Sequence, residues 1–249
     1  MRIFKDINYG EYKEELLDIY LPDEGSKFSV FVYFHGGGLE NGSKEEAFIP
    51  GLVEKGIAVV SANYRMYMNA KYPEFIEDAA EAVAWVKNNI ENYCGVKNIY
   101  VGGSSAGGYL SMMLCFDDKY LKKHNLSNAD IAGYLHDAGQ PTTHFNVLRE
   151  RGLDTRRIIV DEASPMFFIE EGKEYPPMEF IVSDNDMQNR YEQTMLMVST
   201  LKHFGKDMSK ITLSVQKNSK HCEYVNKVDD DGNFVFASMI ESFIKRLEA

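Results

Sequence analysis

Cysteine is scarce in this chain of 249 residues. Only Cys94, Cys115 and Cys222 occur, and they show neither CxxC spacing nor a cluster with histidine. An odd number of isolated cysteines argues against a disulfide framework and against a cysteine-bound zinc site. We therefore expect three reduced thiols that are at least partly buried, because an unpaired cysteine behaves as a small hydrophobic residue.

Long hydrophobic runs are also missing. The first stretch, MRIFKDINYGEYKEELLDIYLPDE, lacks the apolar centre of a secretory signal, and no uninterrupted apolar run reaches the length that spans a bilayer. These two absences predict a cytoplasmic protein that does not associate with membranes.

Blocks of positive charge are absent as well. The chain has 27 Lys and Arg against 38 Asp and Glu, a net charge of -11, and its basic residues are dispersed. This balance argues against a protein that follows a nucleic-acid backbone. It favours a neutral or weakly charged small-molecule substrate and leaves homo-oligomer formation open.

What the sequence does contain is an alternation of buried strands and amphipathic helices. Short segments rich in Val, Ile and aromatic residues predict strands at 29–35, 56–64, 98–103, 131–139, 178–184 and 211–216. Helical periodicity indicates helices within 74–93, 187–205 and 233–249. This order predicts one α/β domain over 1–249, with a mainly parallel sheet covered by helices on both faces. Residues 8–24 alternate less regularly, and we expect an antiparallel hairpin there at the sheet edge.

One segment interrupts this alternation. Residues 140–177 are too irregular for a single strand or helix, and a connection of this length in a compact domain is usually functional. We interpret it as a small lid-like insertion. Its polar side chains could contact a sugar, although a polar surface loop explains them equally well. Gln140 and His144 are its candidate substrate-binding residues.

The most informative motif is Gly103-Ser104-Ser105-Ala106-Gly107, which fits the pattern GxSxG. It lies between a predicted strand and a predicted helix, the context in which such a serine is a nucleophile on a sharp turn. A glycine-rich phosphate loop is the alternative, but neither GxGxxG spacing nor a Gly-Lys-Ser/Thr sequence is present. Ser105 is therefore the candidate nucleophile.

A second motif, the HGGG sequence at 35–38, directly follows the first predicted buried strand. Consecutive glycines cost conformational entropy on folding, which indicates that a bare backbone is needed there. In an acyl-transfer site, backbone N–H groups stabilise the oxyanion. Gly37, Gly38 and Ala106 are the candidate donors. His35 is interpreted as a structural residue that orients this loop.

A serine nucleophile needs a base, and the base needs a group that orients it. His221 lies after the last predicted strand and is the candidate base. Asp184 and Asp186 both follow the preceding strand. We favour Asp186 because it stands further into the loop, whereas Asp184 could brace the turn or cap the next helix.

Taken together, the chain resembles the α/β-hydrolase superfamily, and within it the hormone-sensitive-lipase-like and feruloyl-esterase-like carboxylesterases. The resemblance rests on HGGG at 35–38, NYR at 63–65, YP at 72–73 with Asp78 and Trp85 beyond it, and GGSSAGG at 102–108. It implies the α/β-hydrolase fold and a reaction without a metal or organic cofactor. It also implies a triad of Ser105, Asp186 and His221 and an oxyanion hole of Gly37, Gly38 and Ala106.

The sequence departs from these relatives in three ways. Leu39 replaces a frequent aromatic residue, neither Asp186 nor His221 follows a glycine, and the N-terminal part is too short for a full helical cap. The resemblance implies a serine esterase, and we expect short acyl groups such as acetyl esters of carbohydrates. An arylformamidase-like amide hydrolase and a non-catalytic binding protein with a hydrolase fold are the alternatives.

Overall fold

The computed structural model describes all residues from Met1 to Ala249. Its eight strands form one sheet with the order β1-β2-β4-β3-β5-β6-β7-β8. The strands are β1 (Arg2–Asn8), β2 (Leu16–Leu21), β3 (Lys27–Phe34), β4 (Ala58–Ala62), β5 (Gly95–Ser104), β6 (Gly133–Asp137), β7 (Met178–Asn185) and β8 (Ile211–Lys220). The helices are α1 (Ile49–Glu54), α2 (Glu74–Asn89), α3 (Ala106–Phe116), α4 (Lys119–Lys122), α5 (Phe145–Glu150), α6 (Arg190–His203) and α7 (Val235–Glu248).

The mainly parallel character of the sheet is confirmed. Strands β3 to β8 pair in parallel, and only the β1–β2 and β2–β4 pairs are antiparallel. No helix has the combination of length and apolar character needed to cross a membrane.

The helices cover both faces of the sheet, as predicted. In β3, Val30, Val32 and Phe34 belong to one hydrophobic core, whereas Phe31 and Tyr33 belong to a second one. The first core is closed by α2, α3 and α6, and the second by α1 and α7. This double coverage explains why the central strands read as nearly continuous apolar runs.

The predicted N-terminal hairpin was wrong in the position of its first strand. That strand is β1, which ends at Asn8, where the predicted segment begins, and pairs antiparallel with β2. Its register shifts between Phe4 and Ile7, and Asp6 has a φ of 53°. This irregularity, on a strand exposed along most of its length, removes the alternation by which a strand is recognised.

The irregular segment 140–177 contains α5 and a 3₁₀ turn, Pro165–Phe168. Polar contacts hold it against the rest of the fold. Tyr109 Oη donates to Ala163 O at 2.9 Å, and Tyr72 Oη donates to Glu162 O at 2.7 Å. Residues 140–148 are almost all buried, whereas residues 149–158 are exposed.

A buried ion pair fixes the chain between β4 and α2. Asp78 on α2 accepts hydrogen bonds from the backbone N–H of Arg65 at 2.8 Å and from Arg65 Nε at 3.0 Å. Arg65 Nη2 lies 2.6 Å from Asp78 Oδ1, and both side chains are buried. Tyr67, two residues further on, donates its N–H to Leu39 O at 2.8 Å. The ion pair thus supports the segment that holds the HGGG loop.

We predict that Asp78→Asn destabilises the protein by about 3 kcal/mol, because it removes the nearest carboxylate from the buried Arg65 guanidinium and leaves only Glu74 at 3.3 Å and Glu15 at 3.9 Å. Urea denaturation measures the change. Glu77→Gln is the matched control, since Glu77 is the adjacent residue of α2 and pairs with Lys123 at the surface. That substitution should cost less than about 1 kcal/mol. Equal effects of both substitutions would contradict the prediction.

Candidate active site

Ser105 occupies a sharp turn between β5 and α3. Its φ of 56° and ψ of -109° are unfavourable for a residue with a side chain. The turn is fixed because Ser105 N donates to Asp137 O at 2.8 Å and Tyr109 N donates to Ser105 O at 3.0 Å. The surrounding sheet therefore maintains a conformation that points the serine out of the strand end.

The glycines around this turn are required by close backbone approach. A Cβ atom at Gly107 would lie 1.8 Å from Phe34 O, and one at Gly103 would lie 2.5 Å from the same oxygen. A Cβ atom at Gly108 would lie 2.4 Å from Asp137 O. Only glycine leaves room for α3 to start directly against the ends of β3 and β6.

The structure brings Ser105, His221 and Asp186 into one hydrogen-bonded chain. His221 Nε2 lies 2.8 Å from Ser105 Oγ, and His221 Nδ1 lies 2.6 Å from Asp186 Oδ1. Asp186 is fully buried at its side chain and accepts hydrogen bonds from Met187 N at 2.7 Å and Ser183 N at 3.3 Å. Burial raises the pKa of Asp186, but the hydrogen bond and charge of His221 outweigh it and hold that pKa below its ordinary value. Asp186 is therefore a carboxylate at neutral pH.

Asp184 has a different position. Its Oδ1 accepts hydrogen bonds from Asn185 Nδ2 at 3.2 Å and Ser219 N at 3.4 Å, between β7 and β8. It braces this end of the sheet, whereas Asp186 contacts His221.

The HGGG loop has the conformation that its glycines allow. Gly37 and Gly38 have φ values of 105° and 67°, and a Cβ atom at Gly37 would lie 1.9 Å from Asn41 O. The N–H groups of Gly37, Gly38 and Ala106 donate to no acceptor within the protein. Free N–H groups beside a serine are suited to stabilise an oxyanion.

His35 has a structural environment in this loop. Its ring stacks on Tyr64 with 4.5 Å between the centroids, and its Nδ1 lies 2.7 Å from Gly36 O. Burial lowers the pKa of His35 to about 4, so the ring is neutral at physiological pH.

Ser105, the candidate nucleophile, faces a cleft of about 440 Å³. Ser105, His221, Gly37 and Gly38 all line it, together with apolar and polar side chains, among them Phe145, Met187, Val225, Asn41, Asn226 and Glu46. The cleft therefore joins Ser105 and His221 with two of the candidate oxyanion donors, whereas Asp186 and Ala106 do not line it.

The two candidate substrate-binding residues do not line this cleft. His144 is 2% exposed and stacks on Phe145, and its Nδ1 accepts a hydrogen bond from Asn146 N at 3.2 Å. It is an internal support of α5, because its side chain caps the start of that helix. Gln140 lines a neighbouring cavity instead.

Asp137 is a further residue of this region, and the sequence analysis missed it. It ends β6, its side chain is fully buried, and it accepts a hydrogen bond from Tyr224 Oη. Cys222, directly after His221, lies with its Sγ 3.9 Å from Asp137 Oδ2. Asp137 thus contacts both the Ser105 turn, through its backbone, and the His221 loop, through its side chain. The sequence signal was a lone carboxylate at the carboxyl end of an apolar strand.

Asp137 provides a pH-dependent contribution to stability. Burial raises its pKa to about 6, from 3.8 for an ordinary aspartate, so the folded state binds more protons than the unfolded state between these values. The contribution of Asp137 to the free energy of unfolding is therefore greatest below about pH 4 and falls as the pH rises through 6.

We predict that Asp137→Asn removes this slope. Between pH 4 and 7, the stability of the variant relative to the native protein should increase by up to about 3 kcal/mol, the equivalent of the pKa shift. Denaturant unfolding at a series of pH values measures it. If the stability of both proteins changes with pH in the same way, the pKa of Asp137 is not raised in the folded state.

The family model described as BD-FAE matches residues 17–147, a little over half of the chain. Kynurenine formamidase of Danio rerio is 33% identical over 117 residues, which are 45% of this chain and 39% of that protein. Esterase LipQ of Mycobacterium tuberculosis is 27% identical over 228 residues, 80% of this chain and 53% of that protein. The chain thus spans about half or less of the length of these relatives.

Solved structures match over nearly the whole chain. A truncated carbohydrate esterase from gut microbiota has a TM-score of 0.78 and 20% identity, covering 100% of this chain and 97% of that one. The propionate-bound esterase Est2 of Thermogutta terrifontis has a TM-score of 0.76 and 22% identity, covering 97% and 93%. At these identities the likeness establishes the fold alone, and it confirms the α/β-hydrolase fold class.

Proposed function

This chain belongs to the BD-FAE family, and from that premise we propose that it is a serine esterase that hydrolyses short-chain carboxylic esters, including acetyl esters of carbohydrates. The observation that carries the proposal is the hydrogen-bonded chain Ser105–His221–Asp186 beside three N–H groups without protein acceptors. The names of relatives and of structural neighbours, esterases and a carbohydrate esterase among them, support the same reaction class.

The proposed reaction has two halves. His221 Nε2 takes the proton of Ser105 Oγ as that oxygen attacks the ester carbonyl carbon. The resulting oxyanion accepts hydrogen bonds from the N–H groups of Gly37, Gly38 and Ala106. When the tetrahedral intermediate collapses, the bond to the alcohol oxygen breaks and His221 returns the proton to the departing alcohol.

Water then attacks the acyl-enzyme with His221 as base, and the second collapse releases the carboxylic acid and restores Ser105. Asp186 holds the Nδ1–H tautomer of His221 throughout and stabilises the transient imidazolium. In this scheme the protein side chains supply every proton transfer, so it requires neither a metal nor an organic cofactor.

A second candidate is an amide hydrolase that removes a formyl group from an aromatic amine. The likeness to kynurenine formamidase over 117 residues favours it, and the same nucleophile, base and oxyanion donors would serve. The two functions differ in the leaving group, which is an alcohol in one and an arylamine in the other.

We predict that the native protein hydrolyses 4-nitrophenyl acetate and butyrate faster than the octanoate, because the cleft of about 440 Å³ accommodates a short acyl chain together with its alcohol. Ser105→Ala should lower kcat by about 10⁴–10⁶-fold. Release of 4-nitrophenol measures both effects. Similar kcat/KM values for two-carbon and eight-carbon esters would contradict the chain-length preference.

Acetylated xylo-oligosaccharides and N-formylkynurenine, assayed beside these esters, separate the candidates. Higher kcat/KM on the formamide than on any ester would favour the amide hydrolase. A folded native protein inactive on all these substrates would contradict both.

We predict that Asp186→Asn lowers kcat by about 10³–10⁴-fold, because the amide cannot hold His221 in the required tautomer and charge state. Asp184→Asn is the matched control, with the same chemical change two residues away and away from His221. It should change kcat less than about twofold. Steady-state kinetics on 4-nitrophenyl acetate decide the matter, and a larger loss in Asp184→Asn would reassign the acid.

A further inference from the structure

A second cavity lies beside the cleft that contains Ser105. It has a volume of about 310 Å³, and only three of its eleven lining residues are hydrophobic. Two of those three, Phe145 and Met187, also line the Ser105 cleft. The two cavities therefore adjoin at these side chains, which a substrate with its ester at Ser105 would have to pass to reach the second cavity.

The charge of this cavity is opposite to that of the whole protein. Arg156, Arg157 and Arg190 line it and no acidic residue does, although the chain carries a net charge of -11. An excess of arginine over acidic residues in the lining of one small cavity favours an anionic occupant.

Arg190 is the most informative of the three. It is 4% exposed, yet no carboxylate forms an ion pair with it. Its guanidinium donates to Ala138 O and, at 3.3 Å, to Gln140 Oε1. A guanidinium has five N–H donors, so three have no protein acceptor. Burial lowers its pKa to about 10, which leaves it cationic at neutral pH.

The other two arginines differ from each other. Arg156 forms a two-pronged pair with Asp154, with Nε at 2.9 Å from Oδ1, so its charge is already balanced. Arg157 is exposed, and its guanidinium has neither an ion pair nor a hydrogen bond within the protein. Asp186, the buried carboxylate nearest to Arg190 along the chain, is hydrogen-bonded to His221. The cavity thus holds two cationic groups that have no carboxylate at salt-bridge distance, although Asp186 is close enough to raise the pKa of Arg190 against the effect of burial.

We propose that this cavity is a subsite for a carboxylate group of the substrate, held by Arg190 and Arg157, so that the preferred esters carry a carboxylate in addition to the ester bond. The inference rests on the proposed esterase function and narrows its substrate class. Gln140 acts in it as a positioning residue, because its amide oxygen orients the Arg190 guanidinium.

The test compares esters that differ only in a negative charge. On the alcohol side the pair is 4-carboxyphenyl acetate and 4-carbamoylphenyl acetate. On the acyl side it is the 4-nitrophenyl half-ester of adipic acid and the corresponding terminal amide. We expect a higher kcat/KM for the anionic member of at least one pair, and the pair that shows it identifies the side of the ester that reaches the cavity.

Arg157→Gln is the decisive variant, since an exposed side chain can be replaced without disturbing the core. It should lower kcat/KM for the preferred anionic ester by about three- to tenfold and leave the neutral ester within about twofold. Arg2→Gln is the matched control, an equal loss of charge on the exposed edge strand β1. It should leave the anionic preference unchanged, whereas 1 M salt should reduce it in the native enzyme.

Two results would overturn the inference: native enzyme that treats both members of each pair alike, or an anionic preference that Arg157→Gln does not diminish. Failure of the esterase function itself is distinguishable, because then the neutral esters would not be hydrolysed either. In that event, calorimetric binding of the same pairs to Ser105→Ala tests the subsite alone. Tighter binding of the anionic member would support it, and equal binding would reject it.

Discussion

The close backbone packing around the Ser105 turn is the constraint on which the rest of the site depends. The carbonyl of Phe34 at the end of β3 lies where a side chain on Gly103 or Gly107 would have to be. The carbonyl of Asp137 at the end of β6 receives the Ser105 N–H. With three neighbouring strands meeting at one turn, the positive φ of Ser105 is maintained by contacts that no local rearrangement could relieve separately. Ser105 is therefore held rigidly, and only His221, on a loop, needs further positioning.

Asp137 positions the loop that carries His221. Its side chain contacts the loop that carries His221 through Tyr224 and Cys222, whereas its backbone holds the serine. One residue at a strand end thus couples both partners of the Ser105–His221 hydrogen bond. This arrangement lowers the stability of the fold at neutral pH, because Asp137 is buried and burial disfavours its ionised form. A buried polar group of this kind is expected where geometry matters more than stability.

The features that the sequence predicted are those with a local physical cause. Buried parallel strands are apolar on both faces, so β3 to β7 could be recognised as short runs. Gly37, Gly38 and the glycines around Ser105 could be recognised because a run of glycines costs conformational entropy and indicates that side chains do not fit there. The other features depend on contacts between distant segments. The position of β1 was missed because its irregularity at Asp6 hides the alternation, and His144 proved to be an internal support of α5.

The second cavity is the feature that the sequence could predict least. Its arginines come from two segments more than thirty residues apart in the chain, and Gln140 joins them from a third. Composition alone pointed to a neutral or weakly charged substrate, because a net charge of -11 describes the average surface. Recognition, however, depends on the field inside one concave site, where low-dielectric walls strengthen the effect of a few uncompensated charges. A negative net charge and a cationic subsite are therefore compatible, because the first is an average over the whole chain and the second acts over only a few ångströms.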